Sequence, residues 1–227
     1  MSDSRELYLK QLTQFFWENE LTPDVTQIEL LAEYAQLLVE RNDIVNLVSR
    51  KDTPNVIENH VFISALLSNY VPSRCTRFID IGTGGGLPGI PLAIMRPELR
   101  GVVVDSIKKK IDSVQHFAET LLLNSVTPEL ARVEDDSFIS RYQSSFDLVV
   151  SRATVPLILL VRYALPLITN KAHLIALKGG DLTEEFDKMF TKYSSHIKKS
   201  TIYELHYKPS NIKNIKEKKL VVLEISK

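Results

Sequence analysis

A single cysteine, Cys75, among 227 residues excludes an internal disulfide and any cysteine-rich metal site. The five histidines, His60, His116, His173, His196 and His206, are scattered without ligand spacing, so no metal centre is expected. Long apolar runs are also missing: the most apolar stretch, Thr154 to Thr169, is interrupted by Pro156, Arg162 and Pro166, which argues against a bilayer span. The opening Met1-Ser-Asp-Ser-Arg-Glu lacks the basic-then-apolar order of a secretion signal. Net charge is absent too, with 28 Lys and Arg against 28 Asp and Glu. Together these absences predict a cytoplasmic protein that makes no use of membrane or metal.

What is present fits an α/β domain with a modest extension: 44% hydrophobic and 25% charged residues are ordinary globular values. The neutral total hides a gradient. Residues 1–60 carry five Lys or Arg against eleven Asp or Glu, and residues 192–227 carry nine Lys against three Glu. The basic tail is either a solvated surface or a flank that attracts phosphates.

Before residue 72 the apolar spacing is helical. It runs through Leu9, Leu12 and Phe16, then Leu31, Tyr34 and Leu38 with Asp24 or Thr26 as cap, then Val56 to Leu66 after Pro54. This predicts a helical extension over 1–71 and a main domain over 72–227, packed as one monomeric unit. From Thr76 strands and helices alternate. Strands are expected at Arg77–Ile81, Val102–Val104, Phe146–Ser151, Ala172–Leu177, Ser200–His206 and Lys219–Ile225, with a shorter one near Val126–Arg132. Helices are expected at Ile90–Met95, Lys109–Leu123, Pro156–Leu165 and Thr183–Met189. Such alternation predicts a mostly parallel, doubly wound Rossmann-like sheet. The last two strands are joined only by a loop rich in Lys, Asn and Pro, so they should form an antiparallel hairpin.

The chain has eight glycines, and four of them, Gly82, Gly84, Gly85 and Gly86, fall within Phe78-Ile-Asp-Ile-Gly-Thr-Gly-Gly-Gly-Leu-Pro-Gly-Ile-Pro91. Between a strand and a helix, such a loop lets a nucleotide-like ligand rest on backbone amides. Gly84 to Gly89 satisfies the dinucleotide pattern G-x-G-x-x-G, which keeps an NAD-dependent oxidoreductase as an alternative. Asp80, two residues before Gly82, favours a different ligand: a carboxylate there repels a pyrophosphate but receives the cationic amino-acid part of S-adenosylmethionine. Asp105, 23 residues after Gly82 at the end of the next strand, is suited to two ribose hydroxyls of an adenosine, or else caps the following helix.

Asp80 to Pro91 resembles the signature of the RsmG (GidB) family of bacterial small-subunit ribosomal RNA methyltransferases. Further blocks follow in order: Asp105-Ser106 with Lys109-Lys110, Arg132-Val133-Glu134, Ser151-Arg152-Ala153 and Ala176-Leu177-Lys178-Gly179. The resemblance implies a class I methyltransferase fold. It implies methyl transfer from S-adenosylmethionine to a guanosine of 16S rRNA, as naked RNA or small subunit, giving 7-methylguanosine in the decoding region. Carried over, the cofactor would be held by Asp80, Gly82, Gly84, Leu87, Asp105, Ser106, Ile107, Val133, Glu134 and Arg152. Val133 also reads as a buried strand residue, Glu134 as a solvated turn, Arg152 as a salt bridge supporting its loop, and Lys178 as an exposed turn lysine. Departures from the family pattern, at Arg41, Val48, Asn59, Ile63 and Lys110, gather mainly on the substrate side.

Guanine N7 already carries a lone pair, so no proton-abstracting residue is expected. Arg152 and Lys178 are the cleft candidates, and Lys108, Lys109 and Lys110 are candidates for neutralising RNA phosphates or simply begin a helix. A non-catalytic module that binds S-adenosylmethionine or RNA is the other reading.

Overall fold

The first residues of the parallel run decide the layering. In Arg77-Phe-Ile-Asp-Ile81 successive side chains point to opposite faces, and both faces are covered. The computed structural model describes residues 2–152, 154–208 and 218–227. Within them, β1 (Arg77–Ile81), β2 (Arg100–Asp105), β3 (Val126–Leu130), β4 (Phe146–Arg152), β5 (Ile168–Gly179), β6 (Ile197–Glu204) and β7 (Lys218–Ser226) form one seven-stranded sheet in the order β3-β2-β1-β4-β5-β7-β6. Strands β1 to β5 pair in parallel, and β7 is antiparallel to both β5 and β6. The expected C-terminal hairpin is therefore present, with its second strand inserted next to β5. The loop joining its strands and the Ala153 of the Ser151-Arg152-Ala153 block lie outside the described residues.

One face of the sheet, carrying Phe78, Val103, Leu148, Val150 and Ile175, shares a core with α1 (Ser2–Glu18), α2 (Val25–Asn42), α4 (Gly89–Met95) and α5 (Lys108–Thr120). The other, carrying Ile79, Ile81, Val102, Val104 and Leu174, packs against α6 (Asp136–Tyr142), α7 (Leu157–Leu167) and α8 (Thr183–Tyr193). Leu12 and Phe16 of α1 and Leu31, Tyr34 and Leu38 of α2 are fully or almost fully buried in the first core. At about 25 cal/mol per Å² of apolar area, side chains of this size each contribute roughly 1.5–3 kcal/mol by burial. Asp24 precedes α2, where its backbone N–H donates to the Gln27 side chain at 2.9 Å.

Several details differ from the expectations, among them β6, which runs Ile197–Glu204 and not Ser200–His206. The helical stretch after Pro54 is a π-helical turn over Ile57–Phe62 that tightens into α3 (Ile63–Leu66) and a 3-10 turn over Leu67–Tyr70. Helix α6 had no visible period because it is seven residues long and buries only Phe138. Strand β5 begins four residues early, at Ile168, where a register irregularity against β4 lets a polar Thr-Asn-Lys segment join the ladder.

Candidate active site

Asp80 is the hinge of the glycine loop. Strand parity puts its side chain on the face of Phe78, under α4, where it is 0% exposed. Its Oδ2 accepts hydrogen bonds from Thr83 Oγ1 at 2.6 Å and from the Gly89 amide at 2.9 Å, which fastens both ends of the loop. A Cβ on Gly89 would sit 2.8 Å from that oxygen and 2.6 Å from Val103 Cγ1, so only glycine lets the amide approach. Asp80 Oδ1 has no hydrogen-bond partner among the described residues. Burial pushes the carboxyl up to about 7, opposed by the Thr83 and Gly89 bonds and by Arg152.

The loop is also held from the N-terminal helices. The Tyr34 hydroxyl of α2 donates to the Gly85 carbonyl at 2.8 Å, and a Cβ on Gly85 would meet Leu38 and Leu47. Asn42, at the end of α2, accepts from the amides of Leu47 and Val48 and shapes the segment that presses on the glycines.

Across the loop stands Asp105. Its Oδ2 accepts from the Gly84 amide at 3.0 Å and its Oδ1 from the Ile107 amide at 3.0 Å, so the carboxylate links β1 to β2 at their carboxyl ends. Each oxygen keeps a further lone pair. Beside it opens a cavity of about 470 Å³, and Gly82, Asp105, Ser106, Val133 and Glu134 are among its walls. Gly84 has φ +59°, and a Cβ there would meet nothing within 4 Å, but Asp80, Gly84 and Arg152 are not among the residues lining the cavity. Val133 is both buried and part of the wall, while Glu134 is exposed at its edge. Leu87 is buried in the core with its amide bonded to the Thr83 carbonyl, and Ile107 is half-exposed; neither lines the cavity. The opposite wall holds Thr154, Val155 and Tyr163, which the sequence reading did not select. Thr154 bonds Ser151 Oγ at 2.7 Å, and Ser151 donates to the Ile81 carbonyl. Their signal was the position directly after a strand of the parallel run, where open α/β sheets bind ligands.

Arg152 lies on the other side of the loop. Its Nη1 donates to the Asn59 carbonyl in the π-helical turn at 3.4 Å, and it has no ion pair among the described residues, so the salt-bridge reading does not apply. Burial lowers its pKa, while Tyr34, Asp80 and Asp52 support the cation. His60, on the same turn, is buried with neither ring nitrogen hydrogen-bonded among the described residues, and its Nε2 is 3.8 Å from Asp52. Burial, then Arg152 and Lys218, push its pKa down to about 3, so it is neutral.

Lys178 is not an exposed turn lysine: its Nζ donates to the Val155 carbonyl at 2.7 Å and to Glu185 at 2.9 Å, and its side chain is 9% exposed. Since Glu185 also accepts from the Leu157 amide, Lys178 braces α7 against α8 beside the cleft. Of the three consecutive lysines, Lys110 lines the cavity, Lys108 pairs with Asp112 on the helix surface, and Lys109 is exposed. Among the positions that depart from the family pattern, Val48 and Ile63 are buried and Arg41 donates to Ser113 Oγ. No group of three His, Cys, Asp or Glu among the described residues is placed to hold a metal ion. No helix of the described residues is long and apolar enough to cross a membrane.

The family model described as rRNA small subunit methyltransferase G (GidB) matches residues 27–215. The protein of that name from Chlorobium chlorochromatii is 38% identical over 177 residues, covering 78% of this chain and 73% of its own. The one from Desulfitobacterium hafniense is 37% identical over 200 residues, covering 87% and 82%. Among solved structures, the O-methyltransferase TomG from Streptomyces achromogenes, in complex with SAM, superposes with a TM-score of 0.61 at 17% identity over 98% of this chain and 99% of its own. TYW2 of M. jannaschii, in complex with AdoMet, gives 0.56 at 12% identity over 75% and 77%. These two likenesses are of fold.

Proposed function

Because the chain belongs to the rRNA small subunit methyltransferase G family, we propose that it transfers the methyl group of S-adenosylmethionine to N7 of a guanine in 16S ribosomal RNA. The observation that carries this reading is the agreement between the family match over residues 27–215 and a cavity whose polar groups suit that cofactor. The free lone pairs of Asp105 accept the two ribose hydroxyls while its present bonds to Gly84 and Ile107 keep it fixed. Ser106, Val133 and Glu134 frame the adenine side. The Oδ1 of the fully buried Asp80, without a partner among the described residues, is an acceptor under the glycine loop for a cationic ammonium held there directly or through water.

When bound, S-adenosylmethionine supplies an electrophilic methyl on a positively charged sulfur. The chain's own contribution is placement: guanine N7 must point along the carbon–sulfur axis at near-contact distance, and no proton has to leave it first. Arg152 stands where the loop meets the π-helical turn, its guanidinium available for a purine or its phosphate. His60, being neutral beside it, adds no second positive charge against a base that becomes cationic during transfer. The guanine reaches this position by leaving its stack, at a cost of about a few kcal/mol.

Deleting the gene should remove one 7-methylguanosine from 16S rRNA, read as loss of chemical strand cleavage at the modified base and its return on complementation. Unchanged cleavage would sink the substrate assignment.

A further inference from the structure

A second cavity, of about 740 Å³, lies at the opposite end of the sheet, with Arg77, Arg100, Asn124, Ser125, Thr127 and Phe146 around it. Arg77 and Arg100 are the first residues of β1 and β2 and face each other in register. Side-chain alternation puts both on the face of Ile79 and Val102, where both are exposed. Neighbouring strands are about 4.8 Å apart, and like charges so placed repel one another. Neither guanidinium has an ion pair among the described residues.

The adjacent acid is already engaged. Asp147 accepts from the amides of Thr76 and Arg77 and from Thr76 Oγ1. Arg77 is instead held over the Phe146 ring, 5.7 Å from its centre, which fixes its direction without neutralising it. Asn124, Ser125 and Thr127 add uncharged hydrogen-bonding groups to the wall. Two exposed guanidiniums without ion pairs among the described residues, one of them held over a ring, beside hydroxyl and amide groups are the chemistry of a phosphate site.

The charge continues along the same end of the sheet. Strand β6 is antiparallel to β7, and β7 to β5, so the amino ends of β5 and β6 lie with those of β1 and β2. There Lys171, Lys198 and Lys199 are exposed, with Glu224 opposite Lys199 as the acid among them. From β2 to β6 is five strand spacings, about 24 Å. That span exceeds one phosphate and fits a run of backbone phosphates.

We propose that the Arg77–Arg100 pair is a phosphate site for the RNA backbone, separate from the methyl-transfer cleft and anchoring the substrate at the amino ends of the strands. The inference rests on RNA being the substrate. The two ends of β1 are about 13 Å apart, so one RNA molecule passing the β3 edge can touch both.

The test is the salt dependence of binding to a 16S rRNA fragment, measured for the full chain and for Arg77→Gln/Arg100→Gln. Each lost phosphate contact lowers the slope of log affinity against log salt by about 0.7–0.9, so the pair should lose about 1.4–1.8. The KM for RNA should rise with kcat unchanged, while the melting temperature and S-adenosylmethionine affinity stay at wild-type values. Arg77→Lys/Arg100→Lys should restore the slope. An unchanged slope in the Gln pair, or an equal loss in the Lys pair, overturns the proposal. Arginine-dependent binding of free ATP or inorganic phosphate, with the RNA slope unmoved, assigns the cavity to a small ligand and overturns it as well. Absence of methyl transfer to rRNA by the wild-type protein in the same assay refutes the proposed function instead, and the slope comparison still decides this site.

Discussion

Replacing Asp80 by Asn should stabilise the ligand-free protein and impair cofactor binding, two effects that oppose each other. The carboxyl titrates near 3.8 in the unfolded chain and near 7 when folded, so the folded state binds the extra proton between those values. The stability it contributes is complete below about pH 4 and is lost as pH rises through about 7. At 1.36 kcal/mol per unit, ionising the folded carboxyl at neutral pH costs about 4 kcal/mol. Asn keeps an acceptor for Thr83 and Gly89 and removes the charge, but places a buried amide donor where Oδ1 was, which returns about 1–3 kcal/mol of that gain. The difference in unfolding free energy between variant and wild type, from urea titrations, should grow by about 2–3 kcal/mol from pH 5 to pH 8. In parallel, the variant's affinity for S-adenosylmethionine should fall at least about tenfold, since the ammonium loses its counter-charge. A pH-independent difference would show that Asp80 is ionised at no unusual cost. Unaltered cofactor affinity would show that Oδ1 faces no ligand.

Asp105→Ala should abolish measurable S-adenosylmethionine binding in calorimetry, because it removes the ribose acceptor and releases Gly84 and Ile107 together; wild-type affinity would refute the site. Gly84→Val, at φ +59° where a β-branched residue is strained, should weaken the cofactor by about tenfold or more while leaving secondary structure intact by circular dichroism. Tyr34→Phe deletes the bond to the Gly85 carbonyl and should cost about 1 kcal/mol in denaturant titrations. A several-fold weaker cofactor should accompany it, and a change in stability alone would mean that α2 does not tune the loop. Lys178→Ala should destabilise by about 1–3 kcal/mol through the loss of its bonds to Val155 and Glu185. Its kcat should change less than that of Arg152→Ala, and the reverse order would return Lys178 to the cleft.

The strand starting at Arg77 was legible to the residue because Phe78, Ile79 and Ile81 are apolar and a glycine loop ends it. The helix over Asp136–Tyr142 was not, since one buried phenylalanine makes no period. Around the cofactor cavity, Gly82 and Asp105 could be picked because each ends a strand or begins the loop after it, while Ser106 and Glu134 came with the family resemblance. Thr154, Val155 and Tyr163 come from the next crossover and meet them only once β4 lies beside β1. The hold of Tyr34 on Gly85 spans 51 positions and leaves no local trace. Arg77 is expected at a strand start, whereas Arg100 falls outside the expected Val102–Val104; their conflict exists only in the register of β1 on β2. Local pattern reveals which side chains end a strand, whereas pairing between distant segments decides which of them share a wall.

Strand β7 has a consequence for synthesis. It is made after β5 and β6, yet it lies between them. While the chain emerges from the ribosome, β5 has no neighbour on one side, and β6 has none at all, until residues 218–226 arrive. Between the synthesis of β5 and that of β7 the nascent protein thus carries open ladders, with Leu and Ile prominent on β5. A chain stalled or cleaved before residue 218 would be left with a sticky edge and no means of closing it, so premature termination should yield aggregates rather than a smaller folded domain.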